Sequence, residues 1–472
     1  MPEAPALALQ HWIYLAVTVV VIASMVCKRG VVIPCIVGTF FIGLAHSDGS
    51  LIFAAQSVFR SMSAAGQILF DFILIIALKV AMLKSLAQMG ADQMMIAPAA
   101  AMIKSPTRAF WIIAGVMFVA SSFFGPTPAT ALVGTMLIPV AVKAGLKPMM
   151  ACMSLNIAGH GMALSGDIVI QGAPNLTAAS AGIPVENVLF YGALFGATTG
   201  ITALVAAFII NRKNLAPSQE ELELSSAKEI AEIGKNTPPY AKYFAAGVPL
   251  VFLAVVIRIV LGSFDTGFSS ITGGAATSLL GGAAALIIIC ATFADCGNKC
   301  LEKIVEHIRE GFTFAIKIFA PVIPIAGFFL LGAPTQAAQI LGEGARGLLF
   351  DLSGALALVL PLGTVPITVG MVVIAGITGL NGSGFATLPV TGALAASLAA
   401  PAGLSPEILA GLAQAVGIFV GGGTLPAWAF GVAAAAGVAG VPATDLVRKN
   451  FAPVMMGFAV STVVAIILLQ TA

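Results

Sequence analysis

The chain has 472 residues, of which 59% are hydrophobic and only 9% charged, a balance that leaves too little polar surface to solvate a globular domain. At about 20 residues per spanning helix, this length supplies on the order of ten spans, which leaves no room for a separate catalytic domain. The formal net charge of +2 points to no nucleic-acid partner, so charge is informative here only by where it falls.

Trp12 to Cys27 reads as a first span. No basic stretch precedes it and no small-residue cleavage site follows it, so it is expected to be retained and not cleaved as a signal peptide. Lys28-Arg29 turns the chain into a short second span, Val31 to Ala45. Ser50 to Ser63 mixes apolar residues with Gln56 and Arg60 and reads as a separate interfacial amphipathic helix. Gly66 to Gln88 is a third span carrying Asp71 and Lys79. These lie about two turns apart, on similar faces but too distant to pair, and they are expected to face other helices or to snorkel, with a role in an ion path as the alternative.

Polar interruptions then appear inside apolar runs. An arm that begins at Trp111 ends in Ser121-Ser122-Phe123-Phe124-Gly125-Pro126-Thr127-Pro128-Ala129-Thr130, and a second arm runs from Ala129 to Val142. Lys104 and Arg108 lie at one foot and Lys143 and Lys147 at the other, so both arms start from one side. The expectation is a re-entrant hairpin with its tip at Gly125 to Pro128. Met149 to Gly182 is read as one crossing broken in the middle, from Asn156 through His160 and Asp167 to Asn175. In hydrocarbon an unpaired backbone group costs several kcal/mol, so broken helices persist only when buried in protein or lining a wet cavity. Two neighbouring breaks therefore predict a binding site near mid-membrane. A span from Val188 to Ile210 follows, and then the hydrophilic stretch Arg212 to Tyr240.

The second half follows the same plan. It has spans near Tyr243 to Leu261 and Thr272 to Phe293, an amphipathic helix Cys300 to Glu310, and a span Gly311 to Gly332 carrying Lys317. After Asp351 an arm interrupted by Pro361 and Pro366 leads to a polar tip from Asn381 to Thr387. A broken crossing centred on Gly421-Gly422-Gly423-Thr424-Leu425-Pro426 comes next, and Phe451 to Leu469 closes the chain. At an offset of 258, Ala144-Gly145-Leu146 falls on Ala402-Gly403-Leu404, Pro148 on Pro406, Asn156 on Gln414 and Gly159 on Gly417; punctuation repeated at a constant offset marks an internal repeat.

The predicted fold class is thus an all-α polytopic membrane protein of two repeats, each with five crossings and a re-entrant hairpin. An odd number of crossings inverts the second repeat relative to the first. The expected boundaries are 1–211 for the first repeat (scaffold 10–90, hairpin and broken helix 109–183) and 212–241 for a cytoplasmic linker. The second repeat is 242–472, with scaffold 242–333 and hairpin and broken helix 352–440. If Lys28-Arg29 is cytoplasmic, alternation also puts Lys104, Arg108, Lys143, Lys147, Lys299, Arg448 and Lys449 inside. Both termini are then extracytoplasmic, in the cell's inner membrane.

Candidate substrate- and ion-binding residues follow from the breaks. Thr127, Thr130, Ser383 and Thr387 at the tips offer hydroxyls beside freed backbone groups, or simply allow close packing. Asn156 and Gln414 match across the repeat and suit either substrate or interhelical bonding. Asn175, Asn381 and Thr424 complete the polar set. Asp167 is the sharpest candidate, because a mid-membrane carboxylate is costly unless paired, cation-bound or protonated; the competing reading is an N-cap for the helix half that follows. His160 is its possible protonation partner or a packing residue. The tips and breaks are expected to converge on one cavity. Cys296 and Cys300 lie four apart without a second pair, so no metal site is predicted.

The hairpin tip followed by Ala129-Thr130-Ala131-Leu132, and Asn156 through Gly172-Ala173-Pro174-Asn175, resemble the ion transporter superfamily, with the divalent anion/sodium symporters nearest in pattern. The tips here read Gly-Pro-Thr-Pro-Ala-Thr and Asn-Gly-Ser-Gly-Phe-Ala-Thr in place of that group's Ser-Asn-Thr. The resemblance implies an elevator-type homodimeric carrier of small organic anions, driven by sodium or protons and using no other cofactor. The functional expectation is a secondary transporter of a small anion, a carboxylate by that resemblance, with a cation/proton antiporter on the same scaffold as the alternative. No nucleophile–base set or nucleotide loop appears in these residues, so neither an enzyme nor an ATP-driven pump is expected.

Overall fold

The computed structural model describes residues 7–27, 29–212, 215–218, 237–262, 274–357, 363–380, 382 and 384–471. Among these the regular structure is helical throughout. Seven helices are long and apolar enough to cross a membrane, or eight if Val322–Leu330 and Pro334–Leu341, bent by 104°, form one span. The protein is therefore a multi-pass membrane protein. The expectations for residues 219–236 of the linker, Pro361, Asn381 and Ser383 lie outside the described residues.

The helix Leu51–Gln88 is 38 residues long, or about 57 Å at 1.5 Å per residue, nearly twice the hydrocarbon thickness. Ser50 caps it, accepting from the Phe53 N–H at 3.3 Å. The separate amphipathic helix expected over 50–63 is therefore the first third of this element. Nothing between Ser63 and Gln67 breaks a helix, and once started a helix propagates at little cost. The same applies to Cys300–Phe319, which joins the expected amphipathic segment to the turn carrying Lys317.

These two helices pack along each other, and Gly311 sets how closely. A Cβ there would collide with the Ala77 carbonyl oxygen, backbone that has no rotamer by which to withdraw. Small residues allow helix backbones to approach where no hydrophobic effect drives association. Gly311→Val is expected to lose most of the folded population, read as a collapse of the monodisperse peak in detergent size exclusion; Gly282→Val, at a glycine with open space around it, should leave that peak in place.

The first hairpin follows from two residue types. Ser105 caps Pro106–Phe124 by accepting from Arg108 N–H at 3.3 Å, with proline in the first turn. Gly125 ends the helix at φ 85°, ψ 152°, and Pro126 opens Pro126–Lys143. Pro126 has no N–H to continue the first helix, and glycine tolerates the positive φ the reversal requires.

The broken crossing runs as Pro148–Asn156, a π-helical turn Ile157–Ala163, and a last turn Leu164–Gly166. It resumes as Gly172–Ala181. The interruption is therefore narrower than the polar residues suggested. Asn156 to Ser165 stays helical, and only Asp167 to Gln171 is open, with Asp167 and Gln171 both left-handed at φ 38° and 61°. In the second half the corresponding elements are Thr364–Gly379 and Leu388–Ala402 around the tip. Pro406–Phe419 then runs into a π turn Val420–Thr424, and Phe430–Ala439 follows. Val185–Asn211 packs against both Pro406–Phe419 and Ala443–Thr471, tying the halves into one core.

Candidate functional site: a cavity between the tips and the breaks

A cavity of about 490 Å³ lies where six separate parts of the chain meet. The long helix contributes Ile76 and Lys79, and the first tip Phe124 to Pro128. The first break adds Leu164, Asp167 and Ile170. From the second half come Phe314, Lys317 and Phe319 on the helix Cys300–Phe319, Gly382 and Phe385 at the second tip, and Phe430, which opens the last half-helix. Residues about 257 apart in sequence, Gly125 and Gly382, thus share one chamber.

Asp167 sits at the start of the break, 5% exposed. Its Oδ2 accepts from the Ala173 N–H at 2.8 Å, so the carboxylate caps the helix Gly172–Ala181 while also facing the cavity. The two sequence readings of this residue describe one geometry: a negative group is favoured at a helix N-terminus, and the same group lines the chamber.

Lys79 is the second ionisable group of the wall and is 1% exposed. Among the described residues its Nζ has no hydrogen-bond partner. It stands 5.8 Å from the centre of the Phe252 ring and within electrostatic range of Asp167. Phe252 in turn lies 5.5 Å, centre to centre, from Phe123 beside the first tip. Lys317 lines the cavity from an exposed position. The sequence reading favoured packing or snorkelling over an ion path for Lys79 and gave Lys317 no site role. A signal was present: Ile76-Ala77-Leu78-Lys79-Val80 falls on Phe314-Ala315-Ile316-Lys317-Ile318 at an offset of 238.

The other predicted residues divide. Thr127 lines the cavity. Thr130 is buried, and its hydroxyl donates to Pro126 O at 2.8 Å within its own helix. Asn175 is half-buried and donates to Gln171 O at 2.6 Å, closing the turn of the break. Thr387 is buried against Gly417 with its hydroxyl unpartnered. His160 is fully buried in the π turn with both ring nitrogens unpartnered; its ring centre is 5.6 Å from that of Phe430, so it backs the wall and does not line it.

Asn156 and Gln414 brace the breaks from behind. Asn156 Nδ2 donates to Gly423 O at 2.6 Å and Gly431 O at 3.3 Å, and its Oδ1 accepts from Asn450 at 2.8 Å. Asn450 also donates to Thr424 O at 3.2 Å, and the Thr424 hydroxyl donates to Phe419 O. Gln414 donates to Ser165 O at 2.9 Å, holding the turn just before Asp167. Each half thus satisfies carbonyls that the other half's broken helix leaves free. Asn450 was not singled out from sequence, since a lone asparagine early in a long helix carries no pattern. Asn156→Leu should leave the break carbonyl of Gly423 short of a donor, at about 1–3 kcal/mol; the expected result is a melting temperature several degrees lower in detergent, with Gln56→Leu on the exposed face of the long helix unchanged.

Among the described residues no group of three or more His, Cys, Asp or Glu stands ready to hold a metal ion.

No family model matches the sequence. Over 465 residues the chain is 36% identical to the "Uncharacterized membrane protein YhfA" of Bacillus subtilis (strain 168), covering 97% of this chain and 98% of that protein. Two solved structures share its fold at 14% identity. One is Neisseria gonorrhoeae MtrF, described with a class of antimetabolite efflux pumps, at a TM-score of 0.57 over 90% of this chain and 86% of that one. The other is the Alcanivorax borkumensis YdaH transporter, at 0.55 over 89% of each.

Proposed function

We propose that this chain, which belongs to the family of the Bacillus subtilis membrane protein YhfA, is a secondary active transporter that moves a small organic anion, a carboxylate, across the cell's inner membrane. The observation that carries the reading is the cavity: two hairpin tips and a helix break meet around two amines, Lys79 and Lys317, and a single carboxyl group, Asp167, among the described lining residues. An anion bound there supplies an acceptor to a buried amine that has no hydrogen-bond partner among the described residues. The shared fold with two transporters supports the class.

In this reading the halves are inverted repeats, and the hairpins with their broken helices carry the bound anion past the scaffold helices in an elevator-type movement, as a homodimer. Asp167 takes the coupling ion, sodium or a proton. Tips that meet on one chamber suit such a movement, since either hairpin gates the same site. A cation/proton antiporter is the second reading, and the joint placement of Asp167 and Lys79 on one wall favours it. Uptake of labelled carboxylates into proteoliposomes, with and without sodium and pH gradients, separates the two. Carboxylate accumulation that depends on a gradient supports the carrier; cation flux without any carboxylate dependence replaces it with the antiporter.

A further inference from the structure

The chemistry of the cavity wall narrows the substrate. We infer that the carried anion is an amphipathic monocarboxylate: one acid group on an aromatic or branched apolar body, and not a dicarboxylate. This deepens the carrier reading above and rests on it.

The first line of argument is charge. Lys317 is exposed and its charge is screened by water, so with the coupling ion on Asp167 the buried amine of Lys79 is the single unscreened charge left for the substrate. One substrate acid group fills that vacancy in the balance; a second would lie in the chamber without a counter-charge. Isolated carboxylates in a low-dielectric site are strongly disfavoured.

The second line is surface. Phe124, Phe314, Phe319, Phe385 and Phe430 all line the wall, joined by prolines and branched aliphatics. Beside Lys79, Lys317 and Asp167, the hydroxyl of Thr127 is the one neutral polar side chain among the described lining residues. A hydroxyl-rich or multiply charged molecule would surrender its hydration and find few partners, whereas a phenyl ring or branched chain gains contact on every side. At about 490 Å³ the chamber is in the lower part of the size range of small-molecule pockets, room for a ring and a short acid-bearing chain.

The third line is position. Three of the five rings come from the two tips and the last half-helix, since Phe124 ends the first arm, Phe385 follows Gly384 and Phe430 opens its half-helix, while Phe314 and Phe319 stand on the scaffold helix Cys300–Phe319. Phe319 and Phe385 lie 5.2 Å apart, centre to centre. Rings therefore stand on both tips and on the scaffold, so an apolar ligand body bridges the tips and its presence or absence is felt by both.

The test is a counterflow measurement in proteoliposomes, which reads carrier-mediated exchange and not the passive leak of protonated acids. Labelled phenylacetate and 4-methylpentanoate are compared with succinate and citrate at pH 8, and empty liposomes give the background. The expected result is trans-stimulated, saturable entry of the two monocarboxylates, with succinate and citrate failing to compete at tenfold excess. Phe314→Ser, on a half-buried wall position, should raise KM for phenylacetate about tenfold or more at near-normal maximal rate, because the lost contacts act on binding. Succinate or citrate entry that phenylacetate does not inhibit would overturn the substrate class and leave the carrier standing. No trans-stimulation by any carboxylate, with monodisperse folded protein, would take down the carrier reading and this inference together.

Discussion

Lys79→Met is expected to lower carboxylate transport by at least about 100-fold while the protein remains folded. Removing one partner of a buried charge pair costs about 3–5 kcal/mol, and each 1.4 kcal/mol is a factor of ten. Lys79 is buried and lines the same chamber as Asp167, so an anion loses its main counter-charge with this substitution. Methionine matches the aliphatic stem and removes an amine that has no hydrogen-bond partner among the described residues, and Asp167 keeps its bond from the Ala173 N–H, so the fold should be retained. Lys317→Met is the internal comparison. Lys317 is exposed, its charge is screened by water, and the expected loss is tenfold or less. Equal transport by Lys79→Met and wild type would remove this residue from the site.

Asp167→Asn should separate coupling from movement. An asparagine oxygen still accepts from the Ala173 N–H, and asparagine tolerates the left-handed φ of 38° seen here, so the cost to folding should be about 1 kcal/mol or less. A neutral amide can neither take up a proton nor balance a bound sodium ion. The expected outcome is loss of gradient-driven accumulation, with downhill exchange retained in counterflow. If accumulation persists with unchanged sodium and pH dependence, Asp167 is a cap alone and the coupling ion is held elsewhere.

The sequence alone determined those features that depend on local backbone chemistry. An apolar composition dictates helices in a bilayer, because every backbone group must be satisfied within its own segment. Proline after glycine ends one helix and starts another, so Gly125-Pro126 was readable as a tip from the residues themselves, as was the glycine run 421–423 as a distortion in its crossing. Asp167 stood out for the same reason: no local arrangement hides a carboxylate in hydrocarbon.

Only the tertiary structure decided which polar groups face the cavity. Asn156 and Thr130 looked no different in sequence from Thr127, yet Asn156 spends its hydrogen bonds on Gly423 and Gly431 in the other half and Thr130 on its own helix, while Thr127 alone reaches the chamber. The role of Lys79 was hidden likewise, since it follows from what packs on that helix far later in the chain. The physical reason is that a buried polar side chain must find a partner, and sequence records the need but not the partner. The partners of Asn156 and Gln414 come from segments more than 200 residues away, brought together by close packing at glycines such as Gly431 against His160.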